Sequence, residues 1–271
     1  AGIIQDRQRG QNTLFGMFEE KKETKAEPEK QLPEWPEHEL LGHEKELLGF
    51  YVTGHPLTPF APILEKYTTH NTGQLGGLAN RAMTRIGGLV VEVQKGISKK
   101  TNKPYAMVTL EDLAGSVQIL CINENYDKFA DLLVPKKALL VTGEVNLSED
   151  KPKIFPQEII PLEDAPHHHT KQVHLRLQMA HLKSEDLEAA RELAVSHPGK
   201  CPLFLCMKWP AGEIVFIETH DKFFVEPSMA LQQAVDGRFG EETYYSKVDA
   251  TLPQRAPRQW EKRNGGGGGG D

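Results

Sequence analysis

The stretch QKGISKKTNKPY brings Lys95, Lys99, Lys100 and Lys103 together with no acid between them, and Tyr105 follows directly. Ammonium groups attract phosphate oxygens whatever the base sequence. A tyrosine ring beside them offers a flat surface on which a base can stack. A second loop, NLSEDKPKIF, is mixed in charge and adds Phe155. Near the start, GQNTLFGMF sets Gln11 three residues ahead of Leu14 and Phe15. A glutamine amide can donate and accept at a pocket rim while two bulky apolar side chains fill one cleft, the pattern of a short extended recognition peptide. Met17 and Phe18 are either further contacts of that peptide or a competing register.

Other reactive residue types are less suggestive. His167, His168 and His169 are consecutive and lie near Asp164. Adjacent side chains diverge and no cysteine is near, so a linker is expected there rather than a metal site. Glu111 and Asp112 end a strand before a turn and read as solvated turn acids rather than a two-metal centre. Cys121, Cys201 and Cys206 make an odd count with no C-x-x-C, which argues against a disulfide framework or zinc ribbon and for a reducing compartment. Cys201 and Cys206 are expected on opposite faces of one strand. Phosphate-loop, nucleophile-elbow and H-E-x-x-H signatures are absent from the sequence, so no catalytic residues, metal or cofactor are assigned to this chain.

The surrounding elements must position the lysine turn. TRIGGLVVEVQKG reads as a long strand whose Gly87 and Gly88 permit a bend. In PYAMVTLED, Ala106, Val108 and Leu110 alternate with Tyr105, Met107 and Thr109, the period of a half-buried strand. VQILCIN is a third strand, and NENYDKFADLLV a helix with Asn123 or Asn125 as cap. KALLVTGEVNLSED and KPKIFPQEIIPLED supply two more strands. Three strands, a helix and two strands is the order of the OB-fold, a five-stranded Greek-key barrel. The lysine turn then joins its first two strands and flanks the ligand face, with Tyr105, Met107, Leu120 and Ile122 outward. A solvated lysine-rich hairpin on a barrel used for protein contacts is the alternative.

Before the barrel, Leu40, Leu41, Glu44, Leu47, Leu48 and Tyr51 form one helical stripe, with Gly54 and Pro56 as its stop. From Glu19 to Glu46 the chain carries ten acids and five lysines, broken by prolines, a composition unable to bury a core. After the barrel, APHHHTK reads as a second linker. An α+β unit follows, with strands at KQVHLRLQM, CPLFLCMKW, EIVFIETH and ETYYSKVDA, and helices at SEDLEAARELAVSHPG (capped by Ser184) and PSMALQQAVDGRFG. The expected organisation is a flexible segment with a binding peptide over 1–36, a helical linking segment over 37–80, an OB barrel over 81–163, an α+β domain over 171–250 and a disordered tail over 251–271.

With 271 residues, 38% hydrophobic and 26% charged, the chain suits two or three modest domains diluted by linkers. Its net charge of −6 advertises no global basic field, so any nucleic-acid site must be local. No apolar run reaches membrane-spanning length. The first residues are polar and include no initiator Met, and the chain is expected to be cut from a longer cytoplasmic one.

Together these pieces resemble the C-terminal part of the bacterial replicative DNA polymerase III alpha subunit family. The resemblance runs from about residue 8 to residue 249. KELLGFYVTGHPL and VTLEDLAGSVQILCINENYDKF carry it most specifically, and the last domain matches more loosely. It implies that Gln11, Leu14 and Phe15 form an internal sliding-clamp-binding motif. It implies that the barrel lies near single-stranded template DNA, and that residues 171–249 contact the clamp-loader tau subunit. The family's Mg-dependent polymerase aspartates belong to a palm domain that this sequence does not match, so the chain is expected to be non-catalytic alone. A free-standing OB-fold module for RNA or tRNA is the competing reading, with the lysine turn as its main site.

Overall fold

The computed structural model describes residues 35–49, 51–99, 101–149 and 151–254. The chain divides into two compact units, residues 1–53 and 54–271. In the first, helix α1 (Glu37–Leu48) ends when Gly49 takes a left-handed conformation, φ 81°, and donates its N–H to the Lys45 carbonyl at 3.1 Å. The helix therefore stops before Gly54–Pro56, because Gly49 already supplies the conformation a C-terminal cap requires. Leu41 is buried, but Leu47 and Leu48 are exposed, so the apolar stripe is only partly covered. Glu44, the polar member of that stripe, accepts the backbone N–H groups of Val52 (2.7 Å) and Thr53 (3.0 Å).

The second unit opens with helix α2 (Ala61–Tyr67). Strands β1 (Met83–Ile97), β2 (Pro104–Glu111), β3 (Ser116–Ile122), β4 (Ala138–Asn146) and β5 (Lys153–Pro161) follow, and close a barrel in the order β1-β2-β3-β5-β4. Helix α3 (Glu124–Phe129) lies between β3 and β4, which completes the OB-fold order. Asn123 occupies its cap position without a side-chain hydrogen bond. The 15-residue β1 serves two partners by bending. Its first half pairs with β4, its second with β2, and a bulge falls between Val90 and Glu92. Gly88 permits the close approach at that bend: a Cβ there would sit 2.7 Å from the Glu111 carbonyl oxygen. Ala106, Val108, Leu110, Ile119, Val141 and Ile154 fill the barrel. Each large aliphatic side chain so enclosed contributes about 1.5–3 kcal/mol.

Glu111 and Asp112 were expected to be solvated, but Asp112 is buried. Its carboxylate accepts from the backbone N–H (2.7 Å) and hydroxyl (2.6 Å) of Thr72, and from the N–H groups of Ala114 (2.7 Å) and Gly115 (2.9 Å). It thereby shapes the β2–β3 turn and pins the connector that precedes β1.

The expected linker after the barrel is instead helix α4 (Ala165–His169), with Ala165, Pro166 and His169 buried. A small core of Leu57, Ile63, Tyr67, Leu89, Leu140, Ile160, Leu162 and Ala165 surrounds this junction. Strands β6 (Thr170–Gln178), β7 (Pro198–Cys201), β8 (Leu203–Lys208), β9 (Ile214–Glu218) and β10 (Tyr244–Val248) alternate with helices α5 (Ser184–Ser196) and α6 (Met229–Phe239). All but β7 form a sheet in the order β10-β6-β8-β9. Val173, Leu175, Leu203 and Tyr244 pack its helix side against Ala190, Ala194, Leu231 and Val235. Ser184 is the first residue of α5 rather than its cap. Asp186 takes the capping role from within the first turn, accepting the Lys183 N–H at 3.0 Å. Cys201 and Cys206 lie on separate strands, β7 and β8, since Pro202 interrupts the run.

Barrel and sheet are tied by polar contacts as well. The Arg85 guanidinium on β1 donates to the Thr142 hydroxyl (3.2 Å) and to the carbonyls of Asp249 (3.0 Å) and Thr251 (3.2 Å). The Tyr67 hydroxyl lies 2.8 Å from that of Thr170 and 3.1 Å from that of Ser246.

Candidate nucleic-acid interface

The lysine turn is a closed hairpin end. Ser98 N–H donates to the Lys103 carbonyl (2.9 Å), and Asn102 N–H to the Ser98 carbonyl (2.8 Å). Asn102 takes φ 51°, a left-handed conformation that asparagine tolerates. This holds Lys99 and Lys103 at the mouth of a groove of about 490 Å³ floored by Tyr105, Met107, Leu120 and Ile122. The floor follows from register: Tyr105 pairs with Ile122 and Met107 with Leu120, so all four share the outer face while Ala106 and Val108 point into the core. Among the described residues, Lys95, Lys99 and Lys103 make no ion pair, so their charge is available to a ligand.

Two expected residues lie outside this groove. Lys95 pairs with Ala106, whose side chain points inward, so Lys95 sits on the opposite face of the hairpin from Tyr105. Phe155 on β5 is half-buried and pairs with Glu144, which the Arg81 guanidinium holds at 2.7 Å. Lys100 and the peptide residues Gln11, Leu14, Phe15, Met17 and Phe18 lie outside the described residues, as does the chain beyond Gln254.

Gly96, unremarked from sequence, faces Tyr105 across the ladder. A Cβ at this position would lie 2.9 Å from three atoms of the Tyr105 ring, Cε1, Cζ and Oη. The ring therefore lies close against the glycine. Opposite-strand pairing could have revealed this, since a glycine across from an aromatic residue leaves room for the ring to cover the backbone.

The histidines do not converge. His167 pairs with Glu226, and its ring stands edge-on to that of His168. His169 is buried, with Nε2 3.7 Å from a Glu158 carboxylate oxygen. Burial above all, with Arg85 nearby, pushes its pKa down to about 4. Burial likewise raises the Cys121 thiol to about 12.

Residues 84–162 match the family described as an OB-fold nucleic acid binding domain of the tRNA anticodon type. The DNA polymerase III subunit alpha of Saccharopolyspora erythraea is 28% identical over 214 residues, covering 76% of this chain and 18% of that protein. The chain is similar to DNA polymerase III alpha subunits. That of Vibrio cholerae is 30% identical across 52% of this chain and 12% of its own length. That of Escherichia coli K12 is 26% identical across 72% of this chain and 17% of its own. The chain thus spans less than a fifth of each of these alpha subunits.

Proposed function

We propose that this chain works in DNA replication as a non-catalytic region of a DNA polymerase III alpha subunit, guiding single-stranded template along the barrel groove. One observation carries the reading: Lys99 and Lys103 stand over an outward floor of Tyr105, Met107, Leu120 and Ile122 on an OB barrel. Cations track the phosphates while the tyrosine stacks a base, a sequence-tolerant way to hold an unpaired strand. In the same reading Gln11, Leu14 and Phe15 form a tethered peptide for the sliding clamp, with Met17 and Phe18 as flanking contacts. Residues 171–249 then meet the clamp-loader tau subunit, and the whole operates in the cytoplasm. Among the described residues no helix is long and apolar enough to cross a membrane. The parent polymerase's Mg chemistry is assigned to residues other than these.

The family description of residues 84–162 favours a second reading, an RNA or tRNA module. Titration of labelled oligo-dT and oligo-U of equal length at fixed salt separates the two. Tighter binding of the DNA strand, weakened by Lys99→Ala/Lys103→Ala, is expected. Preference for the RNA strand would favour the module, and no binding of either would refute both.

A further inference from the structure

The helices of the C-terminal domain pack on one face of its sheet, and among the described residues none packs across the other. Alternation along its strands puts His174 and Arg176 of β6, Phe204 of β8, Phe216 of β9 and Tyr245 and Lys247 of β10 on that side, opposite the buried Val173, Leu175 and Tyr244. The rings form a connected platform. His174 stacks on Phe204 with centroids 5.0 Å apart and planes at 16°, and meets Tyr245 and Phe216 edge-on at 5.8 Å and 6.0 Å. The Arg176 guanidinium lies 4.0 Å over the Tyr245 ring, and the Lys66 ammonium 5.5 Å from the same ring. Phe216 is 60% exposed and Tyr245 40%. A groove of about 710 Å³ runs across this face.

Cations stand close to the rings. Burial and then the repulsion of Arg176 lower the Lys66 pKa, while burial, Lys247 and Arg176 lower that of His174. Among the described residues Lys66, Arg176, Lys208 and Lys247 make no ion pair. The acids Glu241 and Glu242 also line the groove, and Glu218 lies across from Phe204 on the same face, so four cations stand against three acids. Unpaired cations gathered around exposed aromatic rings complement a ligand that is anionic and planar at once. A protein partner would need acidic and apolar groups interleaved at the same spacing, whereas each nucleotide carries both a phosphate and a π-face.

We propose that the open face of the C-terminal sheet is a second single-stranded nucleic-acid site, with Phe216 and Tyr245 as stacking surfaces and Arg176 and Lys247 as phosphate contacts. It stands apart from the barrel groove and does not depend on that assignment. Sheets that display aromatic rings and cations on an open face stack unpaired bases in this way.

The test is a fluorescence-anisotropy titration of the full chain with labelled oligo-dT of about 30 nucleotides, long enough to span several stacking positions. Four proteins are compared: parent, a barrel variant (Lys99→Ala/Lys103→Ala/Tyr105→Ala), a sheet variant (Phe216→Ala/Tyr245→Ala) and their combination. The sheet variant is expected to weaken binding about fivefold or more, both alone and in the barrel-variant background. Arg176→Ala, at an exposed position, is expected to act in the same direction without touching the core, and Tyr245→Phe to keep parent affinity. A barrel variant that binds like the parent would sink the barrel reading and leave this one standing. Binding within twofold of each background for the sheet variant and for Arg176→Ala would overturn the second site.

Discussion

Replacing Gly96 by alanine should separate stability from binding. Gly96 does not use a positive φ, so alanine fits the backbone there. The new Cβ would stand 2.9 Å from Cε1, Cζ and Oη of Tyr105. Comfortable carbon–carbon contacts begin at about 3.5 Å, so the ring must withdraw by roughly 0.6 Å or more. It is half-buried on an outer face and can tilt without disturbing the core. Alanine also restricts the unfolded chain, a gain of about 0.4–1 kcal/mol. Folding stability should therefore change by less than about 1 kcal/mol in either direction. A base stacked on the displaced ring loses part of its contact, and since full stacking is worth about 1–3 kcal/mol, single-strand affinity should fall about five- to tenfold. Urea unfolding measures the first quantity, and anisotropy with labelled oligo-dT the second. Tyr105→Ala should weaken binding at least as much. If Tyr105→Ala weakens binding and Gly96→Ala does not, the ring's placement over Gly96 is irrelevant to the site. If neither weakens it, the groove does not stack bases.

Other outcomes follow from the same structure. Lys99→Ala/Lys103→Ala should make the slope of log affinity against log salt shallower by about 1.4, since each phosphate contact on a single strand contributes about 0.7; an unchanged slope would remove both lysines from the interface. Asp112→Ala strips four donors of their acceptor and should cost about 2–4 kcal/mol in urea unfolding, with the β2–β3 turn exchanging amide hydrogens first. The His169 pKa falls to about 4 on folding from an ordinary value of 6.5, so the unfolded chain binds the extra proton between those values. Its contribution should be intact above pH 6.5 and decline as pH falls toward 4, by at most about 3 kcal/mol. His169→Gln should flatten that part of the stability–pH curve, and an unaltered curve would place the titration elsewhere. Leu14→Ala/Phe15→Ala should abolish retention of the chain on immobilised sliding clamp, two buried anchors being worth roughly 3–6 kcal/mol before ordering costs.

The barrel was legible because its strands alternate cleanly: Ala106, Val108 and Leu110 read as one buried face and are one. The lysine turn was legible because Pro104 and Asn102 bound it and no acid dilutes it. The junction was not. Helix α4 is only Ala165–His169, too short for a periodic signal, and three histidines disguise a segment whose burial is imposed by Leu162 and the strands around it. Asp112 looked solvated because two of its four donors come from Thr72, 40 positions upstream. Lys95 was grouped with the site by proximity in sequence and Phe155 by its place in the second flanking loop, but strand register puts Lys95 on the reverse of the hairpin and sets Phe155 against Glu144. The open sheet face escaped notice because its rings come from four strands, each contributing one.

Photo-crosslinking tests the central claim most directly. An oligo-dT carrying 5-iodouracil is bound to the full chain, irradiated and digested, and the attached peptides are identified by mass spectrometry. The account predicts crosslinks within Ile97–Ile122, centred on Tyr105 and Met107, and lost in the Lys99→Ala/Lys103→Ala/Tyr105→Ala variant. Efficient crosslinking that never falls in that range, or that survives unchanged in the variant, would contradict it.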